Sequence, residues 1–167
     1  MILRVAILTV SDGVAAGARP DLGGPACEQA LARSGIEYRI VSRQTIPDGA
    51  EEVARAVRAR VDADEADLVV LTGGTGVAPR DRTPEGLRAV VEFEVPGLAE
   101  KMRADTSRGF PAAYLSRQLV GVRRGALIVA VPGSPKGAAD CLGAILELVP
   151  HALALVRGER PDHPASS

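Results

Sequence analysis

Three glycine-bearing loops carry the chemistry that this chain could perform. One reads LTGGTG over 71–76 and continues as VAPRDRTPE to 85. Gly73, Gly74 and Gly76 lack Cβ, so the backbone can take positive φ and turn successive N–H groups onto a phosphate or similar anion. A second loop reads VPGSPKG over 131–137, where Gly133 and Gly137 bracket Ser134 and Lys136 at the mouth of a helix. A hydroxyl, free N–H groups and an ammonium in that position suit an anion. The third, TVSDG over 9–13, offers Ser11 and Asp12. Each feature also has a plainer use. Glycines let a chain reverse, Ser134 can be an N-cap beside a solvated lysine, and a Ser-Asp pair suits an Asx turn.

Carboxylates accompany these loops: Asp12 in the third, Asp48 in TIPDG and Asp81 just beyond the glycines. Alone, each is more often a turn or cap residue than a ligand. Together beside a phosphate loop they match what Mg²⁺ takes, which is one or two carboxylates with substrate phosphate and water completing the octahedron. Two familiar phosphate motifs are absent. Residues 73–84 hold no GxxxxGK(S/T), and Pro79 breaks the GxGxxG pattern. No Ser-His-Asp arrangement can be assembled around His151 or His163, and Tyr114, Ser116 and Arg117 remain as a hydroxyl and guanidinium group that a helix could aim at the loops.

Four apolar segments must position these residues: Arg4 to Val10, Tyr38 to Ser42, Leu68 to Thr72 and Leu127 to Val131. Leu68, Val69, Val70 and Leu71 show no alternation, as expected of a strand covered on both faces. Cys27, Ala30, Leu31 and Ser34 follow a helical period ended by Gly35, and Val53, Ala54, Val57 and Val61 form a second stripe. This βαβαβ alternation predicts a parallel sheet with helices on both sides, so the loops at the strand carboxyl ends share one rim, where such sheets bind ligands. Between 83 and 125 the spacing predicts short helices around Leu87 and Leu98 to Met102, a further helix over Ala112 to Leu119, and a turn at Arg123 to Gly125. A last helix is expected from about Gly137 to Val156, kinked at Pro150. Residues 1–157 read as one domain and 158–167, polar and Pro-rich, as a flexible tail.

The chain has 167 residues, enough for one domain that buries roughly 70% of the surface exposed when unfolded. Its 20 Lys and Arg against 21 Asp and Glu give a net charge of −1 and argue against an electrostatic grip on nucleic acid. Tyr38, Phe93, Phe110 and Tyr114 are its aromatics and make no stacking platform. Cys27 and Cys141 lie far apart without a metal-ligand pattern, which points to a reduced compartment. The amino terminus lacks a leader pattern and no apolar run reaches the roughly 18 residues of a membrane span, so a cytoplasmic location without membrane contact is expected.

Taken together, LTVSDG, IPD, LTGGTG, RDRTPE, EVPGL, LSR and LIVAVPGSPKG, spread from about Val5 to Val156, resemble the molybdopterin adenylyltransferase family of molybdenum cofactor biosynthesis. The order and spacing of the blocks make the match specific where a single glycine loop would be weak. The resemblance implies an α/β fold, a three-layer α/β/α sandwich with a mostly parallel central sheet, usually assembled as a homotrimer. It implies that ATP and molybdopterin give adenylyl-molybdopterin and pyrophosphate with Mg²⁺, and that transient contact with a molybdate-inserting enzyme follows. By motif, Asp48 and Asp81 match the acidic catalytic and metal positions. The loop Thr72, Gly73, Gly74, Thr75 and Gly76 would hold the substrate phosphate, with Ser11, Asp12, Ser116, Gly133, Ser134 and Lys136 lining the pocket. Gly13, Arg82 and Gly86 depart from the Arg, Val and Ala commoner in these motifs, and none of the three removes a charged catalytic candidate. A related branch keeps the pterin pocket without adenylylating, so a molybdopterin-binding relative is the alternative.

Overall fold

The computed structural model describes residues 2–159. Among them six strands form one sheet in the order β2-β1-β3-β6-β5-β4, from β1 (Leu3–Val10), β2 (Tyr38–Ile46), β3 (Leu68–Thr72), β4 (Phe93–Glu94), β5 (Val120–Arg123) and β6 (Ala126–Val131). The first four strands in that order run parallel, while β5 is antiparallel to both β6 and β4. Seven helices accompany the sheet: α1 (Asp12–Ala15), α2 (Gly23–Arg33), α3 (Ala50–Val61), α4 (Thr83–Arg88), α5 (Pro96–Ser107), α6 (Pro135–Gly143) and α7 (Val149–Val156).

Strand geometry sends successive side chains to opposite faces, and the core divides accordingly. Val5, Ile7, Leu68, Val70, Leu127 and Val129 pack with α2, α5, α6 and α7 on one face. Ala6, Leu8, Val69, Leu71, Ile128 and Ala130 pack with α3 and α4 on the other. The three-layer α/β/α sandwich is therefore the observed architecture, and the absence of alternation in β3 follows from burial on both faces. Cys27 is fully buried, and burial pushes its thiol up to about 12, which makes it a packing residue and not a nucleophile.

Three expectations are corrected. Ala112 to Leu119 forms no helix: a 3-10 turn spans Pro111–Leu115, and the chain then extends into β5. The hairpin with β6 explains this, because Arg124 and Gly125 take φ of 48° and 78°, the left-handed pair of a two-residue turn whose twist suits antiparallel strands. The last helix is broken before Pro150, by a 3-10 turn at Leu146–Leu148, and Pro150 stands in the first turn of α7, where its missing N–H costs nothing. The stretch Pro135–Val156 is in fact long and apolar enough to cross a membrane by length and composition. Here it is bent, and Ala138, Leu142, Ile145, Val149 and Leu153 lie in the core. Of the expected tail, Gly158 and Glu159 are a helix cap, donating to Leu155 O and Ala154 O in the Schellman pattern. Residues 160–167, with His163, lie outside the described residues.

At the end of the sheet opposite the loops, Asp67 is 3% exposed and ties three elements together. Its carboxylate accepts from Arg4 N–H at 2.8 Å, from the Arg4 guanidinium at 3.1 and 2.8 Å, and from Arg157 at 2.5 Å. Burial alone would push this carboxyl up, but the Arg4 and Arg157 hydrogen bonds outweigh it and hold it at about 2. A depressed carboxyl adds stability above its unfolded value near 4, and that contribution, about 2 kcal/mol, is lost as pH falls toward 2. Asp67→Asn is expected to lower the urea midpoint at pH 7, and the gap from wild type should close between about pH 4 and pH 2. Urea melts across that range measure it.

Candidate functional site

The order β2-β1-β3-β6 reverses direction between β1 and β3, since the chain leaves β1 to one side for β2 and returns on the other as β3. The crevice outside such a reversal is where open sheets bind ligands. A cleft of about 460 Å³ lies there, and its walls include Ser11, Asp48, Gly73, Gly74, Asp81, Gly133 and Ser134. The three rim loops predicted from sequence thus meet at one place. Thr72 also lines it, but as structure: the side chain is buried and its hydroxyl donates to Pro132 O at 2.8 Å, joining the β3 and β6 loops.

The glycine loop is shaped by close approach. Gly73 and Gly74 take φ of 109° and 65°, and a Cβ on Gly73 would stand 2.1 Å from Val10 O of the neighbouring strand. Thr83, at the start of α4, fastens the loop by donating its hydroxyl to Gly73 O at 2.8 Å and its N–H to Gly74 O at 3.0 Å. Among the described residues the N–H groups of Gly74, Thr75 and Gly76 donate to no backbone acceptor in this loop. Three such donors in succession suit an anion.

Arg117 clamps the far side of this loop. Its backbone N–H donates to Thr75 O at 2.6 Å, and its guanidinium donates to Gly76 O at 2.8 Å, to Asp81 O at 2.5 Å and to Glu85. The Arg117 hydrogen bond holds the Glu85 carboxyl below its ordinary value. Arg117 is therefore a fastener of the loop and not a ligand group, while Tyr114 is 66% exposed and lines none of the clefts described. Ser116 Oγ lies 3.0 Å from Thr75 Oγ1, which anchors the next cleft to the glycine loop.

That next cleft, about 670 Å³, is walled by Phe110, Ala112, Ser116, Ser134, Lys136 and Cys141 among others. A third, about 340 Å³, shares Gly74, Asp81 and Gly133 with the first and Ala112, Ser116 and Pro132 with the second. The three make one bent trough over the strand ends, with the glycine loop and Asp81 at its middle. Ser134 caps α6 by accepting from Gly137 N–H at 3.2 Å, so its expected capping use holds while it faces both large clefts. Lys136 is highly exposed and paired with Asp140.

The carboxylates are not equivalent. Asp12 is engaged by Arg80, which reaches it at 2.8 to 3.0 Å, and by Asp48 N–H at 3.1 Å. Asp12 thus organises the rim and leaves the cleft walls to others. Asp48 Oδ2 accepts from Asp12 N–H at 2.9 Å, and Asp81 Oδ2 accepts from Ala78 N–H at 2.9 Å. Oδ1 of each has no hydrogen-bond donor among the described residues, and both residues line the cleft. No group of three His, Cys, Asp or Glu could hold a metal ion among the described residues. A divalent ion would therefore depend on Asp48, Asp81 and the substrate's own phosphates, which is how Mg²⁺ is commonly bound.

Two ionisable wall residues escaped the sequence reading: Arg19 and Asp21, in the segment between α1 and α2. Asp21 accepts from Gly24 N–H at 3.0 Å and from Thr9 Oγ1 at 2.9 Å. An Asp three residues before a helical N–H is a recognisable capping signal. Arg19 carries no comparable local signature.

A family model described as a probable molybdopterin binding domain matches residues 6–151. The chain is 33% identical over 156 residues to the molybdopterin adenylyltransferase of Helicobacter pylori strain J99, covering 93% of this chain and 89% of that protein. It is 36% identical over 143 residues to the molybdopterin adenylyltransferase of Escherichia coli K12, covering 86% and 73%. The crystal structure of the molybdopterin biosynthesis enzyme MoaB from Thermus thermophilus is similar at a TM-score of 0.87, with 44% identity over 95% of this chain and 98% of that one. Because the matched span runs from within β1 to within α7 and takes in all three rim loops, the chain belongs to the probable molybdopterin binding domain family.

Proposed function

We propose that this chain transfers the adenylyl group of ATP to the terminal phosphate of molybdopterin, with Mg²⁺, and releases pyrophosphate. The observation that carries the reading is the middle of the trough, where the run of N–H groups at Gly74, Thr75 and Gly76 adjoins Asp48 and Asp81, cleft-lining residues whose Oδ1 atoms no donor engages among the described residues. One phosphorylated substrate can lie in each arm with their phosphates meeting there. The larger, more apolar arm takes the pterin, between Phe110 and the α6 mouth, with Ser116, Ser134 and Lys136 along it. The cleft between β1 and β3 takes the nucleotide phosphates, beside Ser11.

The reaction needs no protein nucleophile, since an oxygen of the pterin's own phosphate attacks the α-phosphorus of ATP. The chain's work is to hold the two phosphates in line and to offset their charge. The glycine-loop N–H groups hold the attacking phosphate, and Arg117 and Thr83 keep that loop in shape. When bound, Mg²⁺ would offset phosphate charge and so lower the cost of bringing two anions together. Asp48 and Asp81 would hold it. A binding module alone gains little from two open carboxylates beside an anion. The family relatives named for this activity support the same reading.

The test is incubation with molybdopterin, ATP and Mg²⁺, with pyrophosphate release expected. Molybdopterin binding without pyrophosphate would make the chain a binding relative. A homotrimer acting in the cytoplasm, and handing its product to a molybdate-inserting enzyme, completes the proposal. Val77, Phe110 and Leu115 on the walls of the trough, and Tyr114 beside them, are 61 to 70% exposed and supply an apolar contact surface. Light scattering should find three copies together at micromolar concentration, and a monomer would remove that part.

A further inference from the structure

The nucleotide cleft has an unfavourable charge balance for its ligand. Its ionisable wall residues are Arg19, Asp21, Asp48 and Asp81. Other positive groups around the trough are committed elsewhere: Arg80 to Asp12 and Asp48 O, Arg82 and Arg117 to Glu85, Arg117 also to loop carbonyls, and Lys136 to Asp140 on the other arm. Among the residues lining this cleft, Arg19 alone is cationic. We propose that Arg19 binds the pyrophosphate portion of the nucleotide and neutralises it as it leaves. This rests on the adenylyl-transfer reading above.

Arg19 is placed for that work by the backbone around it. Ala18 N–H and Arg19 N–H both donate to Gly13 O, at 2.9 and 3.2 Å, so the segment after α1 folds back over it. The guanidinium then crosses Gly13, where a Cβ would stand 2.6 Å from Nε, and donates to Ser11 Oγ at 3.0 Å. The glycine provides the space that the guanidinium occupies. Its other N–H donors make no hydrogen bond among the described residues, which leaves a planar fork open at the cleft wall. Such a fork matches two phosphate oxygens at once.

The shape of the trough selects pyrophosphate over the attacking phosphate. The pterin arm joins this cleft through Gly74, Asp81 and Gly133, and Arg19 lines neither of the other two clefts. An in-line displacement places the leaving group opposite the nucleophile. The bond from the pterin phosphate oxygen to Pα forms, and the bond from Pα to the bridging oxygen breaks. The electron pair stays on that oxygen, and the added charge on pyrophosphate arises on the side away from the pterin, where Arg19 stands.

Calorimetric titration of the full chain with magnesium pyrophosphate, and separately with AMP, tests this. Arg19→Gln should weaken pyrophosphate binding by about tenfold to a hundredfold, the range for a hydrogen-bonded charge, and raise KM for ATP similarly. AMP and molybdopterin affinities should stay within about twofold. Arg19 is exposed, so its variant should melt like wild type. Gly13→Ala provides an independent arm, because its Cβ displaces the guanidinium while Arg19 remains, and pyrophosphate affinity should fall in the same direction. Equal pyrophosphate affinity in wild type and Arg19→Gln overturns the assignment, as does a wild type that binds no pyrophosphate. If Arg19→Gln loses pyrophosphate affinity but wild type transfers nothing to molybdopterin, Arg19 is upheld as the pyrophosphate ligand and the adenylyl-transfer reading falls.

Discussion

Asp48→Asn and Asp81→Asn are each expected to slow pyrophosphate release by a factor of about 100 or more at saturating ATP and Mg²⁺. The substitution isolates charge from shape. Asp81 Oδ2 accepts from Ala78 N–H and Asp48 Oδ2 from Asp12 N–H, and an amide oxygen can accept both bonds, so the turns survive. What each variant loses is the negative charge of a carboxylate whose Oδ1 no donor engages among the described residues. Molybdopterin affinity should persist, because the N–H groups of the glycine loop are untouched. The measurement is single-turnover pyrophosphate release beside molybdopterin titration and circular dichroism. Full rates in both variants would return these aspartates to turn formation alone and remove the metal chemistry.

Gly73→Ala should have the largest effect on the folded state. At φ of 109° any side chain is strained, and here the new Cβ would stand 2.1 Å from Val10 O. That oxygen is backbone of β1, whose ladder with β3 pairs Thr9 with Thr72 one residue before the loop. Relief therefore requires the two central strands to part at the rim. Strain of about 1–3 kcal/mol plus the clash puts the cost at about 3–5 kcal/mol, and the melting temperature should fall by about 10 °C. Gly143→Ala is the control, since a Cβ there meets nothing within 4 Å. Thermal melts should leave that variant at or slightly above wild type, since alanine is the better helix former in α6, and equal melting of both would show that the glycine loop is not under this constraint.

The residue sequence by itself determined the parallel half of the fold. β3 lies at Leu68–Thr72, as its unbroken apolar run implied, and α2 and α3 present the stripes read from Cys27, Ala30 and Leu31 and from Val53, Val57 and Val61. These signals are local: a strand buried on both faces and a helix buried on one each leave a period in neighbouring residues. Glycine chemistry is local too, so the rim loops and their residues could be named in advance. β4 and β5 were not legible, because short strands are stabilised by partners such as Val122 opposite Leu127 and Phe93 opposite Val122, and pairing leaves little trace within four residues. The break before Pro150 was displaced from its expected place for a similar reason, the core having drawn Ile145, Leu146 and Val149 inward together.

Side-chain allegiance was decided only in three dimensions. Asp12, Asp48 and Asp81 looked alike as loop carboxylates, yet Asp12 is matched with Arg80, 68 positions away in sequence, while the other two keep an oxygen for the cleft. Thr72 resembled a loop ligand and instead bonds Pro132 O, and Arg19 had no motif around it until the backbone folded it across Gly13 to the cleft wall. A charge acts over a few ångströms, and which groups come within that distance depends on how strands pair, not on their spacing along the chain.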